Sequence, residues 1–479
     1  MLSKLIYFCL AALSLSPVTA YADDLLDIYQ LALQNDPTFR AAQASLRAGL
    51  EEKNLGRAGL LPKVDIKAGL TFTRTENLGQ FPIGGVTVPN NTKSNRKTKN
   101  WGASLNQPIF DLTAWFRFQR GQQLTQKAQV QFAADQQSLI LRVVEAYIEV
   151  LRARANLGAS TAQEIATKRQ LDQTRQRFDV GLAAITDVRE AEAAHDLALA
   201  NRLADEGALQ VAKEQLSVLT GRQHSQLAVL KEDYPVAKPE PLNLDKWIQF
   251  AQQHNYDIKV AEYGQKAALQ AARAAGAEHF PKINVNAGFD QTHSDIERNN
   301  TIRDNVENLE IDTTEGTVSL NLNMPLFAGG GISAARRKAY AEYDKANEEY
   351  LGAKRNTIQD TRAQYINVMT SIARVNAGKK AVISSRASLE ATEAGYEVGT
   401  RNIVDVLDAV RTLHSAIKDY ANARLDYVLA NLRLKRRAGT LSPEDLIQLN
   451  QWLTDAATQE NAISSAKEAS RATHLPKLD

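Results

Sequence analysis

The feature that most constrains this chain is an internal duplication of its sequence. Segments of one half recur in the other half at a nearly constant separation of 217 to 219 positions. The matched segments and residues are Leu61–Leu70 with Phe280–Phe289, Leu105–Phe110 with Leu322–Phe327, Val180–Gly181 with Val398–Gly399, Asp187 with Asp405, and Gly221 with Gly439. Because a repeated sequence folds into a repeated structural unit, we expect two tandem structural repeats, at residues 23–235 and 242–449.

The N-terminal segment is predicted to be a cleavable secretory signal. A basic residue, an apolar run over residues 5–15 and a small-residue site that ends at Ala22 follow one another. That order is typical of a signal peptide, and the run is too short to span a bilayer as a helix. We expect residues 1–22 to be removed. The one cysteine, Cys9, is removed with them, so the mature chain has no disulfide and no cysteine ligand.

Charge and hydropathy narrow the class of protein. The 57 basic and 55 acidic residues leave a net charge of +2, so no basic excess indicates nucleic acid as a partner. No segment after the signal is apolar for long enough to form a transmembrane helix. Because only helices and closed barrels span a bilayer, such an exported chain is either soluble in the periplasm or a β-barrel in the outer membrane.

Each half is predicted to read helix, strand, loop, strand, long helix, turn, helix. Residues 109–234 and 326–442 contain no proline and are rich in Ala, Gln, Glu, Lys and Arg, which favour helices. Apolar residues recur there at helical intervals, at Ile140, Val143, Val144, Tyr147 and Leu151 and at Leu425, Val428, Leu429 and Leu432. The predicted helices are 24–60, 112–179, 187–220, 245–280, 334–397 and 405–438. Their length indicates coiled-coil-like packing into an elongated cylinder.

Four segments are predicted to be strands of a membrane sheet. Residues 63–75, 98–109, 282–293 and 316–326 alternate apolar and polar side chains with a period of two. Each is about ten residues long, the length of a tilted membrane strand, and apolar-out with polar-in is the barrel pattern. The connections Asn77–Arg96 and Ser294–Glu315 are predicted to be long, polar external loops. A half-buried sheet in a soluble domain shows the same alternation, so that alternative stays open.

The number of strands predicts an oligomer. Four strands cannot close a barrel, and open strand edges are not tolerated in lipid. Two chains would supply eight strands and three chains would supply twelve. Because an eight-stranded barrel is filled by its own side chains, a conducting pore favours three or more chains.

The turns between the long helices carry the candidate functional residues. Gly181 and Gly399 lie where a helix must stop, and glycine adopts the left-handed conformation at little cost. Asp187 and Asp405 follow a few residues later and are predicted to be the N-caps of the next helices. These acids have either a capping role alone or a further function. Asp405 and Asp408 are three residues apart and therefore share a face of their helix.

The sequence contains no catalytic, cofactor-binding or metal-binding constellation. Gly329, Gly330 and Gly331 precede a helix, but no Gly-Lys-Ser/Thr follows them as in a phosphate loop. The seven histidines are scattered without H-E-x-x-H spacing, and no Gly-x-Ser-x-Gly motif is present. We expect no enzymatic activity, no cofactor and no bound metal.

Two motifs resemble the TolC family of outer-membrane efflux proteins, the outer membrane factors. Gln170–Val188 and Glu393–Ala409 are similar to the two periplasmic helix-turn-helix tips of that family, and the similarity extends to about Trp452. The resemblance implies a homotrimer in which a twelve-stranded transmembrane β-barrel, set in outer-membrane lipid, stands on an α-helical barrel. It also implies an exit duct of a Gram-negative outer membrane, extending into the periplasm, for multidrug efflux pumps and type I protein secretion. A periplasmic adaptor protein and an inner-membrane transporter would recruit this duct.

The same resemblance implies a periplasmic gate network. Its members are Asp187, Thr186, Tyr396, Arg401, Gln170 and Glu393. In this network Asp187 would bond Tyr396, and Arg401 would bond Thr186 of a neighbouring segment. Docking of the pump would unwind the tips and open the duct.

Two further sets of tip residues follow from the resemblance. Asp405 and Asp408 would each form a ring of three carboxylates at the constriction. The adaptor would contact the exposed turns, at Val180, Gly181, Leu182, Val398, Gly399 and Thr400. The polar tail, residues 453–479, is expected to be disordered and dispensable for the fold.

A soluble periplasmic coiled-coil protein, such as a pump adaptor or scaffold, is the alternative function. It would account for the signal peptide and the long helices. It has no use for four strands of lipid length with apolar outer faces, so the strands distinguish the two functions.

Overall fold

The structure, a computed structural model, describes residues 23–300 and 305–454 of the chain. The predicted signal peptide, residues 1–22, and residues 455–479 of the predicted tail lie outside the described residues. In chain order the elements are α1 (Leu25–Asn35), α2 (Pro37–Ala58), β1 (Lys63–Ile83), β2 (Val86–Phe110), α3 (Leu112–Asp179), α4 (Ile185–Thr220), β3 (Val229–Leu230), α5 (Leu244–His254), α6 (Tyr256–Ala277), β4 (Lys282–Asn300), β5 (Asn305–Asn323), α7 (Gly331–Glu397), α8 (Ile403–Ala438), α9 (Pro443–Asn450) and β6 (Leu453–Thr454). The order helix, helix, strand, strand, long helix, helix therefore occurs twice.

The long helices lie close to their predicted bounds. α3, with 68 residues, begins and ends where it was predicted, and α7 has 67 residues. α4 and α8 have 36 residues each and begin two residues before their predicted starts. Both end at a glycine in the left-handed conformation, Gly221 at φ 74° and Gly439 at φ 75°, which satisfies carbonyl groups of the last turn. Within the described ranges, no helix combines the length and apolar character needed to cross a membrane.

The prediction of one continuous helix at the start of each half is wrong. The first breaks between α1 and α2 at Asp36, whose backbone is extended (φ −62°, ψ 115°) because the residue before a proline avoids the helical region. The carboxylate of Asp36 then caps α2 by accepting the N–H groups of Thr38 and Phe39, at 3.1 and 3.2 Å. The second breaks between α5 and α6 at Asn255, whose backbone is also extended (φ −61°, ψ 128°) although no proline follows it.

Four antiparallel strands form one sheet in the order β1-β2-β4-β5. They are longer than predicted, because most of the two segments interpreted as loops, Asn77–Arg96 and Ser294–Glu315, continues the ladders. The side chains there are mostly polar and the few apolar ones do not keep to one face, so the alternation disappears although the backbone pairing continues. β1 and β2 are joined by a two-residue turn at Gly84 and Gly85, with φ of 60° and 86°, as a tight hairpin requires. β5 ends at Asn323, before its predicted end, ahead of a proline that cannot donate to a ladder.

The register places the apolar residues of all four strands on one face of the sheet. The row that starts at Val64 continues across the sheet through Leu105, Ala287 and Val318. This face is open in the single chain: Ile66 and Val318 are each 82% exposed. The alternation predicted from the sequence is confirmed, and it leaves a large apolar surface without a covering layer.

The chain divides into two compact units, and each draws residues from both halves of the sequence. Of the described residues, the first unit comprises 23–43, Ala133–Asn255 and 356–454, and the second comprises Ala44–Phe132 and 256–300 with 305–355. The second unit contains the four-stranded sheet. In the first unit, the apolar ladders predicted on α3 and α8 are confirmed as buried core, at Ile140, Val143, Val144, Tyr147, Leu151, Leu425, Val428, Leu429 and Leu432.

A small two-stranded sheet lies in the first unit. β3 pairs antiparallel with β6, and the N–H of Lys231 donates to the carbonyl of Trp452 at 2.9 Å. The predicted tail was expected to be disordered from residue 453, and for Leu453 and Thr454 this is wrong. Their backbone groups are paired with Leu230 and Val229, which ties the chain down beyond α9.

Gly439 and Gly221 are equivalent positions of the duplicated sequence and provide a matched test of packing. A Cβ at Gly439 would lie 2.5 Å from the carbonyl carbon and oxygen of His254, whereas one at Gly221 would be 3.4 Å from the nearest atom, Cβ of Asn35. We expect Gly221→Ala to cost about 1–2 kcal/mol, from the left-handed conformation alone. Gly439→Ala should lower the apparent melting temperature further, because the backbone at His254 must also shift to make room for the methyl group. Circular dichroism of both variants at one heating rate measures this, and equal losses would contradict the packing argument.

Candidate functional site at the helical tips

The two turns between long helices lie together in the first unit. The α3–α4 turn spans residues 180–184 and the α7–α8 turn spans residues 398–402; we call them the first and second tips. Gly181 (φ 77°) and Gly399 (φ 79°) are left-handed, which confirms that the helices stop at these glycines. The N–H of Leu182 donates to the carbonyl of Arg177 at 2.7 Å, and Thr400 donates to Gly395 at 2.8 Å. Both turns therefore satisfy the last carbonyls of the preceding helix.

The prediction that Asp187 and Asp405 are N-caps is wrong. The N-cap residues are Ala184 and Asn402, and the two aspartates lie three positions later, inside the first turn. Each carboxylate accepts the N–H of its N-cap residue, at 3.3 Å for Asp187 and 3.4 Å for Asp405. Only the second tip has the reciprocal bond, in which the Asp405 N–H donates to the Asn402 side chain at 2.8 Å, because Ala184 has no side-chain acceptor.

A small apolar core holds the two tips together. Tyr396 and Ala194 pack against a buried cluster contributed by α3, α4 and α8, whose members are Leu171, Val188, Ala191, Ile403 and Leu407. On its outer side, Arg175 of α3 forms an ion pair with Glu192 of α4 at 2.7 Å. The helices of both tips therefore share one core, and a movement of one tip disturbs the other.

Tyr396 and Arg401 have partners other than those implied by the resemblance. The guanidinium of Arg177 lies over the Tyr396 ring, 4.6 Å from its centroid. The guanidinium of Arg401, in the second tip, lies 3.7 Å from the carboxylate of Asp405, four residues later in the first turn of α8. Among the described residues of this single chain, no hydrogen bond joins Tyr396 to Asp187 or Arg401 to Thr186. Within the described ranges, the tyrosine hydroxyl makes no hydrogen bond.

An open groove of about 550 Å³ brings several of the predicted gate residues together. It lies between α3 and α7, and its lining residues are Gln170, Gln173, Gln176, Arg177, Val180, Glu393, Tyr396 and Glu397. Asp187, Thr186 and Arg401 are not part of it. Gln170, Val180, Glu393 and Tyr396 were among the residues predicted from the sequence, whereas Arg177 was not. The signal for Arg177 is its place in the last turn before Gly181, opposite a tyrosine of the second motif.

Two groups in the groove are poorly satisfied. The side-chain Nε2 of Gln170 is buried and has no hydrogen-bond partner in the described structure. Although Glu393 is exposed overall, partial desolvation raises the pKa of its carboxyl above the ordinary value of 4.5, and the carboxylates of Glu397 and Glu390 add to this. An unpaired amide and a crowded carboxylate both favour the arrival of a further partner at this groove.

The two carboxylates predicted to form rings are both accessible on α8. Asp405 faces Arg401 as described, and Asp408 forms an ion pair with Arg411 at 2.8 Å. Each acid therefore has a cation of its own chain within one helical turn. At the turns themselves, apolar side chains extend into solvent: Val180, Leu182 and Val398 are 69%, 71% and 75% exposed.

Comparison with known proteins gives concordant matches. The model of the family described as outer membrane efflux protein matches residues 28–222 and 247–440. The outer membrane protein TolC of Vibrio cholerae is 35% identical over 447 residues, 93% of this chain and 97% of that protein. The proteases secretion protein PrtF of Dickeya chrysanthemi is 30% identical over 447 residues, 93% of this chain and 94% of that protein. The crystal structure of the outer membrane protein VceC of Vibrio cholerae shares the fold, with a TM-score of 0.69 at 18% identity, over 87% of this chain and 96% of that one.

The difference between the caps predicts opposite effects at the two tips. Ala184→Asn supplies the missing acceptor at the first tip, and Asn402→Ala removes the existing one at the second. Because an N-cap contributes about 1 kcal/mol, we expect amide hydrogen exchange to slow about fivefold at the start of α4 in the first variant. It should quicken by a similar factor at the start of α8 in the second. Equal exchange in wild type and Asn402→Ala would show that the cap is not formed.

The raised pKa of Glu393 predicts a pH dependence of the tips. The folded state binds this proton more tightly than the unfolded state, so the stabilising contribution is present below the ordinary pKa and is lost as pH rises through the folded pKa. We expect exchange near Glu393, corrected for intrinsic rates, to quicken as the pH rises from the ordinary pKa of 4.5 through the raised pKa of the folded state. Glu393→Gln should abolish this trend, whereas Glu190→Gln, an exposed carboxylate on α4, should keep it. The same trend in Glu393→Gln would assign it to another group.

Proposed function

The chain belongs to the outer membrane efflux protein family, and from this membership we propose that it is an exit duct in the outer membrane of a Gram-negative bacterium. It serves efflux and type I protein secretion. Support comes from the family description, outer membrane efflux protein, and from the relatives, an outer membrane protein TolC and a proteases secretion protein. The observation that carries this function is the exposed apolar face of the four-stranded sheet. A soluble adaptor or scaffold is not favoured, because water would cover that face.

The duct is a homotrimer with a twelve-stranded barrel on an α-helical barrel. β1 and β5 are the outer strands of the sheet, and each leaves one row of N–H and C=O groups without a ladder in the single chain. In lipid such a row must be paired. Three copies joined edge to edge supply twelve strands, which leave an open lumen that eight strands would fill with side chains. No catalytic residue is required for conduction, and none is proposed.

The gate is at the two tips. In the closed state the Tyr396 hydroxyl and the Arg401 guanidinium contact a neighbouring chain, with Asp187, Thr186, Gln170 and Glu393 as their surroundings. Support comes from the part of the chain that the structure describes, in which the hydroxyl makes no hydrogen bond and the groove beside it is open. Asp405 and Asp408, repeated three times around the axis, form carboxylate rings that attract cations to the constriction.

A periplasmic adaptor and an inner-membrane transporter are the proposed partners. The adaptor docks on the turns at Val180, Gly181, Leu182, Val398, Gly399 and Thr400. These turns combine exposed apolar side chains with glycines whose added Cβ atoms would meet nothing within 4 Å. They therefore offer an apolar surface and space for the tip of another hairpin, and docking there acts directly on the shared core of the tips.

The gate predicts that loss of the tip contacts opens the channel. We expect Tyr396→Phe combined with Arg401→Ser to raise single-channel conductance in planar bilayers above that of wild type. The phenylalanine keeps the packing against the apolar core and the contact with Arg177. A change in conductance therefore reports the loss of the hydroxyl and of the guanidinium.

Tyr350→Phe with Arg386→Ser is the matched control, because it makes the same substitutions on α7 away from the turn. It should conduct like wild type. Unchanged conductance in the tip variant would exclude the gate while leaving the duct. A wild-type protein that forms no channels at all would exclude the duct itself.

A further inference from the structure

The hairpin of β4 and β5 carries a histidine among three carboxylates. His293 is directly opposite Asp312 in the ladder, and two residues along each strand Asp295 is opposite Glu310. Residues opposite one another in an antiparallel pair, and residues two apart on a strand, point to the same face. All four side chains therefore emerge from one face of the hairpin, as a compact square fixed by the register.

The atoms of this square have the spacing of metal ligands. Nε2 of His293 lies 3.1 Å from Oδ1 of Asp295 and 3.5 Å from Oε1 of Glu310. Ligand atoms of Asp295, Glu310 and His293 all lie within 4.8 Å of one another. Two ligands of a tetrahedral zinc ion, each about 2.1 Å from the metal, are about 3.4 Å apart. The three groups therefore border a position that a small cation could occupy, open to solvent on the side of Glu310.

The fourth residue orients the imidazole. Nδ1 of His293 is 2.8 Å from Oδ1 of Asp312. A neutral imidazole that donates its Nδ1–H to this carboxylate has its lone pair on Nε2, which then faces two further carboxylates. The Nε2 lone pair and these carboxylates repel one another unless a proton or a metal cation lies between them. Metal-binding histidines in proteins are commonly oriented in this way, by a carboxylate that accepts the N–H of the ring nitrogen that does not bind the metal.

We propose that His293, Asp295 and Glu310 bind one divalent cation of the zinc class per chain, with Asp312 as a positioning residue. One imidazole and two carboxylates are a ligand set that zinc accepts, and water completes the coordination. The side chain of His293 is 28% exposed, so ions can reach the site from solvent. It lies on the same face as the apolar residues of β4 and follows them along the strand, four residues after Phe289.

Two lysines on β2 share this face and have to be considered. Lys99 is opposite His293 and Lys97 is opposite Asp295. The ammonium of Lys97 lies over the Phe72 ring, 5.8 Å from its centroid, instead of forming an ion pair with the carboxylates. Three carboxylates against two ammonium groups leave the cluster negative, which favours a divalent ion. The bound ion would fasten β4 to β5 beyond the apolar band and raise the stability of the hairpin.

The competing state is a protonated His293 that forms ion pairs with the same carboxylates, without a metal. Zinc titration distinguishes the two states. The full-length protein is purified in detergent without a polyhistidine tag and treated with a chelator, and Zn²⁺ is then added in competition with a chromophoric indicator. We expect one Zn²⁺ per chain. Replacement by Co²⁺ should give the intense visible bands of a tetrahedral ion. Absence of binding, or only weak octahedral Co²⁺ bands, would overturn the proposal in favour of the protonated state.

Variants assign the ion to these residues. His293→Asn should abolish binding, and Asp312→Asn should weaken it by about 10- to 100-fold, the usual effect of losing an orienting carboxylate. Glu310→Gln should weaken it more than Asp312→Asn does. Glu307→Gln, which makes the same change on β5 on the opposite face, and His279→Asn, outside the sheet, are controls that should bind like wild type. Zinc retained by His293→Asn with unchanged affinity would place the ion elsewhere and refute the site.

Discussion

The need to pair backbone groups where water is absent is the constraint on which the rest of this structure depends. β1 and β5, of 21 and 19 residues, are open edges of a sheet whose apolar face has no covering layer. The face requires lipid, and lipid requires that the edges be paired. Both requirements are met together when further copies add strand to strand. The same four strands therefore make the chain a membrane protein and, by the proposal above, an oligomer.

The parts of the fold that the sequence predicted well are those with a long, one-dimensional signal. α3 was predicted at its true bounds because helical periodicity and the absence of proline persist over its whole length, and its end is marked by glycine. The strands were predicted only where one face is apolar. Beyond that band most side chains are polar, and the apolar ones, such as Ile296 opposite Leu309, do not keep to one face. No periodic side-chain pattern therefore marks the backbone pairing there. The break at Asp36 was visible in Pro37, whereas the break at Asn255 has no proline to mark it.

At the candidate site, too, some features could be predicted from the sequence and others could not. The glycines at the tips were predictable because a left-handed helix end needs a residue without a side chain. The caps were misplaced by three residues because Asp187 and Asp405 serve as acceptors from inside the first turn, and sequence spacing does not distinguish the two positions. The contact between Arg177 and Tyr396, and the square around His293, join residues of different elements. They depend on helix rotation and strand register, which the local spacing of residues such as the histidines does not record.

The tips hold several features that cost the single chain stability. Gln170 has a buried amide nitrogen without a partner, Glu393 is crowded by other carboxylates, and apolar side chains at Val180 and Val398 face water. A natural sequence removes such defects readily unless another interaction requires them. Each is a group that a neighbouring surface satisfies: a hydrogen-bond partner for the amide, a cation for the carboxylates, an apolar hairpin for the valines. The first tip, without a side-chain cap, is also the one whose helix start is less firmly held. For the gate proposed above, a partner that satisfies these groups would offset costs that the single chain carries, and its binding would thereby favour the state that presents them to it.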